Sequence, residues 1–334
     1  MFTEESAREA AGMAPANQQP APVAEALYPS TLNVPKCSVA PTTRYVLEGS
    51  GKRVSVHVVS PIHNKRKGGG IRAPVTWFSS QSRKHMMLAC AAISWTQVPK
   101  ERCFFVKLTH RYVSSTTPSP KVCHHRLHER FISYLGSDGF AAVWKQEFTS
   151  AGEWHLHMFL TVWRLPRSLA KEWNIARDDD LPPEFLNRLQ GWIARTWCSI
   201  LGTEPGDESI DSLSYCKYVL TVEGAVNYVR KGPGSHNRKR HQAMLPDSLR
   251  ACGRWWGLWG SKLFPRNPRF VELSTQEFHD VRRLVRKEME SHPEKGYVPH
   301  IYSPVSGMDI VAGGKEDGFW KALFEYVSQR RRAA

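Results

Sequence analysis

The 334-residue chain is long enough to bury one large core or two smaller ones. Its 46 Lys and Arg outnumber 31 Asp and Glu to give a formal charge of +15, outside the balance of an ordinary cytosolic enzyme, and the simplest partner for that charge is a polyanion. Seven cysteines are scattered, odd in number and without a CxxC pair, so neither a disulfide framework nor a zinc ribbon is indicated, and no apolar run reaches the roughly 18 residues of a membrane span.

Residues 1–40 are rich in Ala, Pro and Gln with few large apolar side chains; they cannot offset the entropy of ordering and are read as a flexible leader. The opening MFTEESAREAAGM is acidic where a signal peptide would be basic, so a cytoplasmic protein without a membrane partner is expected. Residues 41–100 are expected to form a small N-terminal elaboration. It contains a strand-like stretch from Tyr45 to Val59, the basic loop HNKRKGGG, and a helix opening near Ser80 or Ser82.

Periodicity then predicts the elements of the informative segment, residues 101–264. CFFVKLT (103–109) alternates as a strand, and a helix is predicted within 121–135, stopped by Gly136. AAVWKQEF (141–148), the turn-like TSAGEW and HLHMFLTVW (155–163) read as a hairpin. A second helix carries the stripe Phe185, Leu189, Trp192, Ile193, Trp197 and Leu201, and LSYCKYVLTV (213–222) is a further strand. Strand, helix, strand, strand, helix, strand is the βαββαβ order of an α+β, ferredoxin-like or RRM-like antiparallel sheet, expected with its helices on one face. A short helix, GAVNYVRK (224–231), follows the last strand. Residues 265–334 are expected to form a helical extension, opened by the capping box STQE and closed by GFWKALFEYVSQRRR.

Alternation on the second hairpin strand sends His155 and His157 to one face, while Leu156 and Met158 point to the other. Two imidazoles on a rigid strand can ligate a metal, with Glu147 as the third ligand and Gln146 as the alternative. The same residues also describe a half-exposed sheet face with an edge charge. Two His and a carboxylate or amide suit Mg²⁺ or Mn²⁺ beside phosphate, although ligand type also admits zinc or iron.

Tyr228 lies three residues before Lys231, on one side of the short helix, so a nucleophile and a cation share a face; amphipathic packing is the plainer reading of the pair. Arg230, Arg238, Lys239 and Arg240 follow in RKGPGSHNRKRHQ, a loop suited to phosphate, and Lys107 joins them from the first core strand. The 12 Trp, 10 Tyr and 14 Phe among these cations suit unpaired bases, so single-stranded nucleic acid is the expected partner. In GRWWGLWG (253–260) the tryptophans close the core or stack on bases. Cys123, His124, His125 and His128 lack regular zinc-ligand spacing.

Taken in order, FFVKLT, WKQEFTSAGEWHLHMFL, AVNYVRK and HQAMLPDSLRACGRWWG resemble the HUH endonucleases, specifically the rolling-circle replication-associated proteins of plasmids and small single-stranded DNA phages. The resemblance implies that His155, His157 and Glu147 are metal ligands, Tyr228 the nucleophile and Lys231 its accompanying lysine. It implies a transesterification: the metal polarises the scissile phosphate while Tyr228 displaces a 3′ hydroxyl and keeps the 5′ phosphate. The implied partners are single-stranded DNA at a replication origin and host helicase and polymerase, with a divalent metal and no small-molecule cofactor.

Relatives often continue the last motif as Tyr-x-x-Lys-Tyr, and Gly232 stands at the second tyrosine position here, so the resemblance is to a single-tyrosine type. Tyr215 and Tyr218 fall on opposite faces of a predicted strand and make poor second nucleophiles. Relaxases resemble a permuted order with the tyrosine ahead of the histidines; a transposase of this class, or a non-catalytic RRM-like binding module, stays open.

Overall fold

The computed structural model describes residues 44–59, 78–110, 118–148, 153–203, 213–222, 224, 253–291, 298–303, 307–311 and 318–333. In chain order its strands are β1 (Arg44–Ser50), β2 (Arg53–Val59), β3 (Cys103–His110), β4 (Phe140–Phe148) and β5 (Trp154–Val162). β6 (Ser214–Tyr218), β7 (Trp256–Trp259), β8 (Arg269–Leu273), β9 (Val298–Ser303) and β10 (Gly307–Val311) follow. The helices are α1 (Ser80–Ala91), α2 (Pro120–Leu135), α3 (Arg167–Trp173), α4 (Phe185–Leu201), α5 (Thr275–Ser291) and α6 (Gly318–Ala333). The fold is α+β, with two antiparallel five-stranded sheets ordered β6-β3-β5-β4-β7 and β8-β1-β2-β10-β9.

The first sheet follows from alternation. In β3, Phe104, Val106 and Leu108 face one side and are fully buried, while Phe105, Lys107 and Thr109 face the other. The apolar side is roofed by α2 and α4. Pro120 occupies the first turn of α2, where a missing N–H costs nothing, and Gly136 stops the helix at φ 83°. Phe185, Leu189, Ile193, Trp197 and Leu201 recur along α4 at helical spacing, all buried. Trp192 stacks on Tyr134 at 4.2 Å to join the helices, and Trp197 meets Trp154 at 5.8 Å to fix α4 on the sheet. The polar edges of the last two rings are satisfied: Trp197 Nε1 donates to Thr109 O at 2.8 Å, and Trp154 Nε1 to Gln146 Oε1 at 2.6 Å.

The helices do not keep to one face, which corrects the expectation from sequence. On the opposite face, Val143 and Phe159 are apolar and fully buried, and an apolar row needs a cover. Met86 and Cys90 of α1 and the nearby Trp95 join their core, Trp95 meeting Phe159 edge-on at 5.5 Å. Trp256 Nε1 donates to Ser82 Oγ at 3.0 Å, tying the start of α1 to β7. The sheet order also differs from the four strands expected, because β7 adds a fifth beside β4.

The second sheet joins segments from both ends of the described chain. β1 and β2 turn at Gly51 (φ 54°), where an added Cβ would lie 2.5 Å from Ala91 O. β8 pairs with β1 and β10 with β2, so residues 265–334 are not simply helical: three of their segments find strand partners. Phe278, Val281 and Val285 of α5 and Trp320, Leu323 and Val327 of α6 close the core over Leu47, Val54 and Val56. The Trp320 ring lies where a Cβ of Gly49 would be, 2.6 Å from its Cδ2. The capping box forms as a reciprocal pair, Glu277 N–H donating to Ser274 Oγ at 3.2 Å and Ser274 N–H to Glu277 Oε2 at 2.7 Å.

Among the described residues, no helix is long and apolar enough to cross a membrane. The leader at 1–40, the HNKRKGGG loop and residues 225–252 lie outside the described residues. So therefore do the tyrosine helix with Tyr228, Arg230 and Lys231 and the loop residues Arg238, Lys239 and Arg240.

Candidate functional site

His155 and His157 sit on β5, the middle strand of the first sheet, and antiparallel register fixes their neighbours. Thr109 of β3 and Glu147 of β4 flank His155; Lys107 of β3 and Lys145 of β4 flank His157. Cross-strand partners share a face. Two polar rows therefore lie side by side, Thr109-His155-Glu147 and Lys107-His157-Lys145, on the face opposite α2 and α4. The next row along the strands is Phe105-Phe159-Val143, where the apolar cover begins.

The structure thus brings together His155, His157, Glu147 and Lys107. The imidazole rings are 6.3 Å apart between centroids and nearly parallel, at 24°. His157 Nε2 stands 3.5 Å from Glu147 Oε2, and Lys145 Nζ donates to Glu147 Oε1. Thr109 Oγ1 and His155 Nδ1 share a hydrogen bond of 3.0 Å, and Glu153 Oε2 lies 3.9 Å from His155 Nε2. His157 and Lys145 are buried, the lysine to 1 % exposure, whereas His155 and Glu147 are half-buried.

The electrostatics sort these groups by charge. Burial works to raise the Glu147 pKa, but the hydrogen bond from His157 and the Lys145 ammonium outweigh it and hold the carboxyl well below the usual carboxylate range. Burial, with Lys107 and His157 beside it, pushes His155 down to about 4. Near neutral pH the row therefore presents a neutral imidazole across from an ionised carboxylate.

Those are the protonation states that cation ligation requires. The Thr109 contact occupies His155 Nδ1 and fixes the ring, as outer partners of ligating histidines do. By donor chemistry His155, His157 and Glu147 fit a divalent ion. They are not gathered around one point: among the described residues, no group of three or more His, Cys, Asp or Glu is placed to hold a metal ion. Lys145 already supplies Glu147 with a positive partner.

Gln146, the alternative third ligand, faces away. It is 2 % exposed, accepts from Trp154 Nε1 and donates its amide to Arg254 O on the helix-covered side. The histidine-rich start of α2 likewise separates: Cys123 is buried against Pro118 O, His124 packs 4.1 Å from the Trp144 ring, and His125 is exposed beside Glu129. Of the GRWWGLWG tryptophans, Trp255 and Trp259 belong to the core.

Thr109 escaped the sequence reading, and alternation along 141–148 puts Lys145 on the face of Glu147 without assigning it a role. Alternation along β3 and β4 carries the signal for both, but only the register of three strands shows that they stand beside the histidines. Tyr228, Lys231, Arg230, Arg238, Lys239 and Arg240 are outside the described residues and cannot be related to this face. No family model, curated protein or solved structure matches the chain.

Proposed function

We propose that this chain is a DNA strand-nicking enzyme of the HUH type that starts rolling-circle replication by joining itself through Tyr228 to single-stranded DNA at an origin. The observation that carries the reading is His155 set directly across from Glu147, beside His157, on the neighbouring strands β5 and β4 of a polar sheet face. In this reading β3 to β6 with α2 and α4 are a ferredoxin-like βαββαβ unit, to which β7 and the second sheet are additions. Chain order adds to it, since Tyr228 follows the histidines and a basic loop follows Tyr228.

A divalent ion, Mg²⁺ or Mn²⁺, held by His155, His157 and Glu147 would supply charge stabilisation at the scissile phosphate. Tyr228 Oη attacks phosphorus, the bond to the 3′ oxygen breaks, and the phenol proton ends on the departing 3′ hydroxyl. One phosphodiester is exchanged for one phosphotyrosine, so the bond energy is kept for a second transfer. Lys231 eases loss of the phenol proton or holds phosphate charge, while Lys107, Arg230, Arg238, Lys239 and Arg240 neutralise the backbone.

A denaturing gel tests the proposal. End-labelled single strands covering the neighbouring genome, incubated with the protein and Mg²⁺ or Mn²⁺, should yield an SDS-resistant adduct that Tyr228→Phe and EDTA abolish. No adduct with the parent chain, or an undiminished one with Tyr228→Phe, ends it. The rival is an RRM-like binding face without chemistry, favoured by the Lys145–Glu147 pair, which balances the carboxylate without a metal. That protein would bind equally well after Tyr228→Phe and in EDTA.

A further inference from the structure

The polar row does not end at Lys107. β6 is the edge strand of the sheet, and its Tyr215 registers with Lys107, which registers with His157; one row along, Lys217 registers with Phe105. Tyr215 and Lys217 therefore share the histidine face. Strands lie about 4.8 Å apart, so the Tyr215 backbone stands about 10 Å across the sheet from that of His157.

The chemistry of this edge differs from the rest of the strand. Tyr215 is 42 % exposed, one of five large apolar side chains exposed among the described residues. Lys217 is exposed, with Nζ 5.4 Å from the Tyr215 ring centroid. Half-buried Phe105 lies 5.9 Å from the His157 ring. Cys216 and Tyr218 turn the other way, and Tyr218 packs on Phe104 at 4.9 Å. β6 thus sends one tyrosine into the core and leaves the other open at an edge, where sheets usually set charges to discourage pairing.

An open aromatic ring beside a lysine is the recurrent unit of surfaces that take single strands: the ring stacks on any base and the cation meets the phosphate. We propose that Tyr215, Lys217, Lys107 and Phe105 form the track on which the unpaired strand lies beside its cut point. Tyr215 stacks a base, Lys107 and Lys217 hold adjoining phosphates, and Phe105 takes the base or sugar nearest the histidines. The inference rests on the reading of the histidine face as the DNA face. With about 3.4 Å of rise per stacked nucleotide, the base on Tyr215 lies about two to three nucleotides from a phosphate at His157. Tyr215 acts here through its ring; its hydroxyl is not required.

The test uses the full chain carrying Tyr228→Phe, in EDTA, with a fluorescein-labelled oligo(dT) followed by anisotropy. Tyr215→Thr, which keeps strand propensity, should weaken binding about tenfold, while Tyr215→Phe should bind like the parent. Lys217→Gln should lower the slope of log affinity against log salt by about one. Parental affinity for Tyr215→Thr with an unchanged melting curve overturns the proposal, as does loss of binding in Tyr215→Phe. A second arm uses the adduct-forming chain: one abasic site two or three nucleotides from the nick should cost about tenfold, and nothing more in Tyr215→Thr. Additive losses overturn the contact. If no adduct forms, the nicking reading fails while the anisotropy arm still decides the track.

Discussion

Two carboxylates, one in each sheet region, make an instructive pair. Glu147 on the histidine face and Glu277 at the start of α5 are both shielded, at 15 % and 10 % side-chain exposure, and both are held below the ordinary carboxylate range. Glu277 reaches about 2 because the Arg331 guanidinium clasps both its oxygens, at 2.8 and 3.0 Å, while Ser274 N–H donates to one of them. Every one of those partners belongs to a helix cap or to the seam between α5 and α6. Glu147 is partnered by Lys145 and by His157, on a row that continues to an open edge. A depressed pKa is therefore common to a fastener and a candidate ligand. What separates them is whether the partners are themselves chemically versatile and reachable.

Crossed substitutions can break that distinction. The largest expected effect is on nicking: Glu147→Gln should lower adduct formation about a hundredfold, and Glu277→Gln should leave it unchanged. Equal effects would dissolve the contrast. Next comes Lys145→Met, which leaves a shielded carboxylate without its ammonium and should lower unfolding stability by about 3 kcal/mol in urea. A stability like the parent's would mean that the pair is worth nothing to the fold. Arg331→Ala should cost about 1–2 kcal/mol, read best as faster hydrogen exchange in α5 and α6 with the histidine sheet unaffected. The smallest effect concerns acid. A carboxyl with a folded pKa below its unfolded value stabilises above the unfolded value and loses that contribution as pH falls through the folded one. For Glu277 the window runs from 4.5 down to about 2. Stability should fall across it in the parent and fall less steeply in Glu277→Gln.

Local pattern made the histidine sheet legible. The period of two in CFFVKLT (103–109) and HLHMFLTVW (155–163) and the period near four along the α4 stripe correspond to β3, β5 and α4 within a residue or two. STQE announced its helix because a capping box is made within four residues. β8 and β10 were read as part of a helical extension because their strand character depends on β1 and β2, far away in sequence. Within the site, alternation grouped His155 with His157 but could not choose between Glu147 and Gln146. The choice required knowing which face of β4 lies under α2 and α4, a long-range fact carried by Trp154 and Arg254. Tyr215 shows the same limit: alternation separates it from Tyr218, and only pairing with β3 says which of the two meets the histidines.

The second sheet, built from both ends of the described chain, has a consequence during synthesis. The β1-β2 hairpin leaves the ribosome first but gains β8 and β10 only after some two hundred further residues, about 10–40 s at bacterial to eukaryotic elongation rates. Over that interval its two edges are open and the bed for Trp320 at Gly49 is bare. The histidine sheet has all its strands by Trp259 and can close earlier. A chain truncated near residue 265 and released should thus protect β3 to β7 from protease while β1 and β2 are cut, so that the histidine face is assembled before the strands of the second sheet have met.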